Sequence, residues 1–344
     1  MQIGLMTDSV AALPATETLD LAAELALDTI EFATGNWSTA PHLDLDRLLA
    51  DEVARTEFVA AVTARGLRIS ALNANGNPLH PTTGAEQDRV VRGTIRLASL
   101  LDVSTVVCMS GLPAAPGDHT PNWITTCWPP ETTEILQRQW DIAVPYWREL
   151  ARFAGRHDVR LALEMHANQL VYNAPTLLRL REAAGAVVGA NMDPSHLMWM
   201  GSDPIQSVRA LDGAIYHVHA KDTRLQSHRQ ALTSRLETLP WGRVDDRAWN
   251  YVTLGDGHPG GTEFWSQFIA ALGASGYTGT LSIEHEDLAF PPVEGVRRSV
   301  DLLRAALKAQ PAAWSAGRLS RPAGAGWRLP GHPERHPAGP AHLR

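Results

Sequence analysis

The sequence predicts an α/β protein, a (β/α)₈ TIM barrel. Eight short apolar runs recur along the chain. Helical patterns separate them, and the eight strand–helix units occupy residues 2–308 with nothing left over. The alternative is an open doubly wound sheet. No GxGxxG follows any strand, which counts against its dinucleotide-binding form.

The runs lie at residues 2–6 (QIGLM), 28–33 (DTIEFA), 67–72 (LRISAL), 104–109 (STVVCM), 159–164 (VRLALE), 187–192 (VVGANM), 214–219 (AIYHVH) and 279–284 (GTLSIE). Most are rich in Ile, Val and Leu, as expected of parallel strands covered on both faces. Residues 176–184 (TLLRLREAA) read as a helix that stops at Gly185, and Asp203-Pro204 opens the next. Phe264, Phe268 and Leu272 recur at i, i+4, i+8. Val293, Val296, Val300, Leu303 and Leu307 form one buried stripe. Residues 134–144 and 145–155 read as one helix kinked at Pro145. Two connections, about 110–132 and 221–260, are too long for plain loops. They are expected to be lids at the face where barrels carry their chemistry.

Composition narrows the function. The chain has 344 residues, 44% hydrophobic and 19% charged, which suits a folded soluble protein. It carries 30 basic and 37 acidic side chains, net −7. The last 34 residues are net +4, so residues 1–310 carry −11. Such an acidic body disfavours nucleic-acid binding, and with it a repair nuclease built on a related barrel. No apolar run is long enough for a membrane span, and the N-terminus lacks the basic and apolar regions of a secretory signal. Two cysteines, Cys108 and Cys127, make no disulfide framework, so a cytoplasmic location is expected. Residues 1–310 are read as the catalytic barrel. Residues 311–344, with six Pro and five Gly, are read as a disordered tail.

The strand ends carry the chemistry. The fifth ends in Glu164 and His166, and the sixth runs into Asp193 and His196. The seventh gives His217, His219, Lys221 and Asp222, and the eighth Glu284, His285, Glu286 and Asp287. Three carboxylates converging on one rim would repel one another, and a divalent cation removes the conflict. Glu164, Asp193, His219 and Glu284 make a three-oxygen, one-nitrogen set suited to Mn²⁺, Mg²⁺, Co²⁺ or Zn²⁺. His217 and His219 share one face of their strand, so spacing alone does not separate them.

LEMH at 163–166, MDPSHLMW at 192–199, HVHAKD at 217–222, GDGH at 255–258 and SIEHED at 282–287 resemble the sugar phosphate isomerase/epimerase family, with its xylose isomerase-like barrel. The resemblance covers residues 1–308. It implies metal ligands at Glu164, Asp193, His219 and Glu284, with Mn²⁺ the first choice of ion. It places His196 near substrate and Arg224 at a substrate-contacting position. The EMH and IEHED forms are most similar to the large subunit of 3-oxo-glycoside (C-glycoside) deglycosidases. There His166 would be the base, whereas the 3-epimerase branch would use Glu164 and Glu284.

The expected activity is isomerisation or epimerisation of a keto sugar by proton abstraction beside its carbonyl, with β-elimination of a 3-oxo-glycoside as the alternative. The ligand set does not choose between them. The expected partner is a small sugar or glycoside, and the expected assembly a homo-oligomer, with or without a small second subunit. A non-catalytic sugar-binding barrel would be expected to lack ligands that are all present here. Asn75, Asn77 and His80 are candidates to bond sugar hydroxyls or to shape a turn, and Lys221 joins the substrate-binding set. Trp128 is expected to meet substrate, as one of six tryptophans in strand-following loops with Trp37, Trp123, Trp199, Trp241 and Trp249. Asp8 and Glu31, near the first and second strand ends, are further candidates.

Overall fold

In the computed structural model, which describes residues 1–309, the apolar runs become strands within one or two residues of their expected limits. The ten strands are β1 (Gln2–Met6), β2 (Thr29–Ala33), β3 (Arg68–Asn73), β4 (Thr105–Cys108), β5 (Arg160–Glu164), β6 (Val188–Asn191), β7 (Ile215–Ala220), β8 (Asp222–Leu225), β9 (Trp249–Val252) and β10 (Thr280–Ile283). The helices used below are α5 (Pro130–Gly155), α7 (Pro194–Met200), α10 (Gly261–Ala274) and α11 (Pro292–Lys308), numbered among eleven in chain order.

Eight strands close a parallel barrel in the order β1-β10-β7-β6-β5-β4-β3-β2. Because all eight run the same way, their C-terminal ends share one rim, and the residues just past those ends meet there. The main apolar core lies between strands and helices. In α11, Val296, Val300 and Leu303 are buried, and in α10 Phe264, Phe268 and Leu272 are buried, as their spacing requires. The two segments expected to flank Pro145 form one continuous helix, α5, with that proline inside it.

The two long connections are built differently. Residues 221–260 carry regular structure of their own. They hold an antiparallel hairpin, β8–β9, in which Thr223 faces Tyr251 and Leu225 faces Trp249. The turn after β9 is tied to the barrel by the buried Asp222 carboxylate. It accepts hydrogen bonds from the backbone N–H groups of Thr223 (2.8 Å), Gly255 (2.9 Å) and His258 (3.0 Å), and from Trp265 Nε1 (3.2 Å). A Cβ at Gly257 would meet Asp222 Cγ at 2.6 Å, so only glycine lets the turn close on that carboxylate. The connection after β4 has no helix or strand up to α5. Gln139 Nε2 pins it by donating to Pro113 O and Asn122 O, both at 2.8 Å.

Among the described residues, no helix is long and apolar enough to cross a membrane. The tail expected at 311–344 lies outside the described residues.

Candidate metal centre and its cavity

Four strand ends deliver four ligand-type atoms to one point. Atoms of Glu164, Asp193, His219 and Glu284 all lie within 4.8 Å of one another. His219 Nδ1 stands 3.2 Å from Glu164 Oε2 and 3.1 Å from Glu284 Oε2. Such separations match ligand-to-ligand spacing around a small divalent cation, about 3 Å for bonds of about 2.1 Å. Asp193 has a divided role. Its Oδ1 caps α7 by accepting from Ser195 N at 2.8 Å, while its buried Oδ2 makes no hydrogen bond, although His196 Nε2 lies 3.2 Å away. A buried carboxylate oxygen left over in this way is what a cation site requires. The donor set therefore fits a divalent metal.

A carboxylate below the site orients the ligand histidine. Glu31 is fully buried, at the middle of β2. It accepts from His217 Nε2 (2.7 Å), His219 Nε2 (3.0 Å), Ser282 Oγ (2.7 Å) and Asn73 Nδ2 (3.0 Å). A carboxylate only accepts, so His219 donates from Nε2 to Glu31, and Nδ1 is the nitrogen that faces the acids, where a bound cation would take the place of its proton. Of the pair left open by spacing, His219 reaches the acids at the rim, whereas His217 bonds Glu31; Glu31, His217 and His219 also lie close enough together to hold an ion.

Above the site, His196 Nε2 lies 2.9 Å from Glu164 Oε1, and its Nδ1 lies 2.8 Å from Tyr251 Oη. Asn75 Nδ2 (2.9 Å) and Asn191 Nδ2 (3.1 Å) donate to Glu164 Oε2. Lys221 Nζ reaches Glu284 at 3.3 Å and Glu286 at 2.6 Å, and lies 4.3 Å from the Tyr251 ring centre. Burial alone would raise Glu164 and lower His219. The contacts win: His196 and His219 hold Glu164 well below the usual carboxylate range, and Glu31 with Glu284 holds His219 well above its own. Burial opposes charge on His196 too, yet Asp193 and Glu164 raise it to about 9.

His166 is the exception. Burial, then the neighbouring His196, pushes it down to about 3, so it stays neutral. Its Nδ1 lies 2.6 Å from Ala167 O. A carbonyl cannot donate, so the proton is on Nδ1, and Nε2 presents a lone pair that no protein group uses.

The site floors a cavity of about 970 Å³. Glu164, Glu284, His166, His196, Lys221 and Asn75 line it. Asp8 lines it as well; its Oδ1 has no hydrogen bond, and burial raises its carboxyl.

Two expected substrate contacts are corrected. Trp128 is 73% exposed and outside the cavity lining, because the connection after β4 carries it out to the start of α5. Arg224 also lies outside the lining. Along β8 Asp222 and Thr223 are buried, whereas Arg224 is exposed. Asn77 and His80 are turn-formers: Asn77 bonds the backbone of Leu79 and Leu112, and His80 accepts from Thr82 N and Thr83 N. Tyr251 and Arg247, in the long 221–260 connection, were not among the expected site residues. The alternating WNYV at 249–252 was the available strand signal.

A profile of the xylose isomerase-like TIM barrel family matches residues 19–306. The chain belongs to that family. An uncharacterised protein of Bacillus subtilis (strain 168), YfiH, is 46% identical over 310 residues, covering 88% of this chain and 98% of its own. Two solved structures share the fold. The 3-keto-D-glucoside 4-epimerase YcjR of E. coli is 17% identical at a TM-score of 0.61, covering 88% of this chain and 99% of its own. A xylose isomerase-like TIM barrel protein of Mycobacterium smegmatis, in complex with magnesium, is 16% identical at a TM-score of 0.61, covering 90% and 98%. Within this family fold, the acidic donor set of the present chain sits at the open rim, at the ends of β5, β6, β7 and β10.

Proposed function

We propose that this protein is a divalent-metal-dependent isomerase or epimerase of a keto sugar. The observation that carries the reading is the convergence of Glu164, Asp193, His219 and Glu284, with Glu164 and Glu284 lining the same cavity as His166, whose Nε2 is unused. The family resemblance makes Mn²⁺ the first choice; three carboxylates and one imidazole by themselves admit Mn²⁺, Mg²⁺, Co²⁺ or Zn²⁺ alike. When bound, the ion would supply Lewis acidity to the sugar carbonyl and its neighbouring hydroxyl.

The chain's own residues do the rest. His166 Nε2 accepts the proton from the carbon beside the carbonyl, since Nδ1 carries the ring proton toward Ala167 O and Nε2 has a free lone pair. Glu284 is the second candidate base. Its carboxylate faces the cavity with Lys221 as its hydrogen-bond donor, whereas the oxygens of Glu164 are engaged by His196, Asn75 and Asn191. The His196–Tyr251 pair is placed to hold or return a proton. Asn75 Oδ1 and Asp8 Oδ1, both buried without a partner, suit sugar hydroxyl donors.

The test is metal analysis followed by incubation with a panel of keto sugars in deuterated water. Solvent deuterium beside the carbonyl of recovered sugar, lost on chelation and restored by the ion, is the expected result. A metal-loaded protein that exchanges no sugar on the panel overturns the reading. Release of the aglycone from a 3-oxo-glycoside would assign the elimination branch instead.

A further inference from the structure

Two acid–base side chains stand across the mouth of the barrel from each other. Around the closed ring β1-β10-β7-β6-β5-β4-β3-β2, β1 and β5 are four strands apart in either direction, so their ends are diametrically opposed. Asp8 lies two residues beyond β1, and His166 two residues beyond β5. Both line the cavity, together with Glu164 and Glu284 of the donor set. A molecule seated over that set has one of them on each flank. Their charged neighbours differ accordingly. Asp8 stands in the field of Glu284, His42 and Glu31, and His166 in that of His196, Glu164 and Lys221.

Among the acids that line the cavity, Asp8 is the one left uncommitted. Glu164 is held by His196, Asn75 and Asn191. Glu237 accepts from the backbone N–H groups of Leu239 and Ala248. Glu284 and Glu286 both pair with Lys221, at 3.3 and 2.6 Å, and Glu284 also faces His219 Nδ1 at 3.1 Å. A neighbouring cation favours the ionised carboxylate and so keeps it from carrying a proton. Asp8 has no basic or backbone donor of that kind among the described residues. Its Oδ1 is buried without a hydrogen bond, and it joins none of the ligand clusters. Burial raises its carboxyl; Ser38 offsets part of this, and the negative charge of Glu284 adds to it. One oxygen of such a carboxyl can receive a sugar hydroxyl while the other carries a proton. The His196–Tyr251 pair cannot serve that flank, since the His196 ring lies 4.3 Å from the ring of His166.

We infer that Asp8 is the second acid–base residue of the site, returning a proton to the face of the reacting carbon opposite the one His166 deprotonates, so that the product is the epimer at that carbon. This rests on the proposed keto-sugar chemistry and selects inversion from among its outcomes. His166 Nε2 takes the proton from the carbon beside the carbonyl. The C–H electron pair becomes the C=C bond of an enediolate, and the carbonyl π pair moves onto its oxygen. The Asp8 carboxylic acid then gives its proton to the other face of the same carbon, the C=C pair forms the new C–H bond, and the carbonyl is restored. His166 ends protonated and Asp8 ionised, and proton exchange with water resets both. In the reverse direction the two exchange roles.

The probes are the epimer pairs D-fructose and D-allulose, D-tagatose and D-sorbose, and L-ribulose and L-xylulose, which differ at the carbon beside the carbonyl. Each is incubated with the metal-loaded protein in deuterated water, and deuterium and configuration at that carbon are read by NMR. The wild type should interconvert a pair, with solvent deuterium in each product. In Asp8→Asn, interconversion should fall at least about a hundredfold, the usual worth of a general acid. The epimer that His166 deprotonates should still take up deuterium, with its configuration retained. His166→Gln should confine uptake to the other epimer. Undiminished interconversion in Asp8→Asn, loss of uptake from both epimers in a folded Asp8→Asn protein, or an aldose in place of the epimer would each overturn the inference. Should Asp8→Asn fail to fold, His166→Gln decides, because uptake into neither epimer would mean that no second acid–base group faces the sugar. A wild type that puts deuterium into none of the pairs removes the keto-sugar reading itself; inversion that does not depend on Asp8 removes only this assignment.

Discussion

Two acidic clusters lie stacked at the rim of this barrel, sharing His219, and they are filled to different degrees. In the lower one, Glu31 receives four side-chain donors, from His217, His219, Ser282 and Asn73. In the upper one, three carboxylates face one imidazole nitrogen, and a buried oxygen of Asp193 goes without a hydrogen bond. A saturated buried carboxylate is scaffolding, since every lone pair has its donor and nothing is left to bind. An unsaturated one is costly unless a ligand completes it. The difference in satisfaction, rather than in residue type, separates the support from the site.

The largest expected effect comes from breaking the upper cluster at Asp193. Asp193→Asn keeps an oxygen to cap α7, and asparagine is as good a cap as aspartate, so the fold should survive. The change removes a negative oxygen from the donor set. Lewis-acid stabilisation is worth several kcal/mol, so solvent exchange into the sugar should fall by on the order of a thousandfold. Metal-dependent thermal stabilisation, followed by scanning calorimetry, should shrink with it. An Asp193→Asn protein that binds metal and exchanges deuterium like the wild type would show that the upper cluster is scaffolding too.

Breaking the lower cluster should cost less. In Glu31→Gln one acceptor oxygen becomes an amide donor, and His217, His219, Ser282 and Asn73 cannot all be accommodated. Groups that orient a ligand histidine typically carry about 10–100-fold in metal affinity, and that drop is expected here by titration calorimetry. A loss of about 1–3 kcal/mol of stability should accompany it, from the buried donors left unmatched. Undiminished metal affinity would mean that His219 needs no support from below.

The same contrast explains what could be read from the sequence. The eight barrel strands were legible because a strand covered on both faces needs an unbroken apolar run, and turns bracket each run. The four donors were legible because parallel strands end on one rim, so a residue's place at a strand end fixes its place in the fold. The central role of Glu31 was less visible. Its run, TIEFA, flags an acid within a strand but not the four donors that come to it from β3, β7 and β10. Tyr251 and Arg247 were hidden for another reason. An excursion between barrel strands obeys no eightfold pattern, and its hairpin is short, four residues a side. Trp128 misled because a tryptophan after a strand can face either the cavity or the solvent, and only the path of the connection decides.

The smallest expected effect tests whether the two clusters also differ from the groups above them. Tyr251 contributes a hydroxyl, 2.8 Å from His196 Nδ1, and a ring packed among Lys221, Trp241 and Trp249. Tyr251→Phe deletes the first and keeps the second. The His196 imidazole then loses the partner of one nitrogen while Glu164 and Asp193 still hold the other. One hydrogen bond is worth about 1 kcal/mol net, so the exchange rate should fall roughly five- to tenfold. Metal affinity should be unchanged, because Tyr251 touches no ligand directly. A fall as large as that of Asp193→Asn would mean that the hydroxyl takes part in the proton transfer itself. No fall at all would mean that His196 is fixed by its two carboxylates alone. Only the intermediate result, with metal binding intact, places Tyr251 as a positioning group whose influence reaches the sugar through His196.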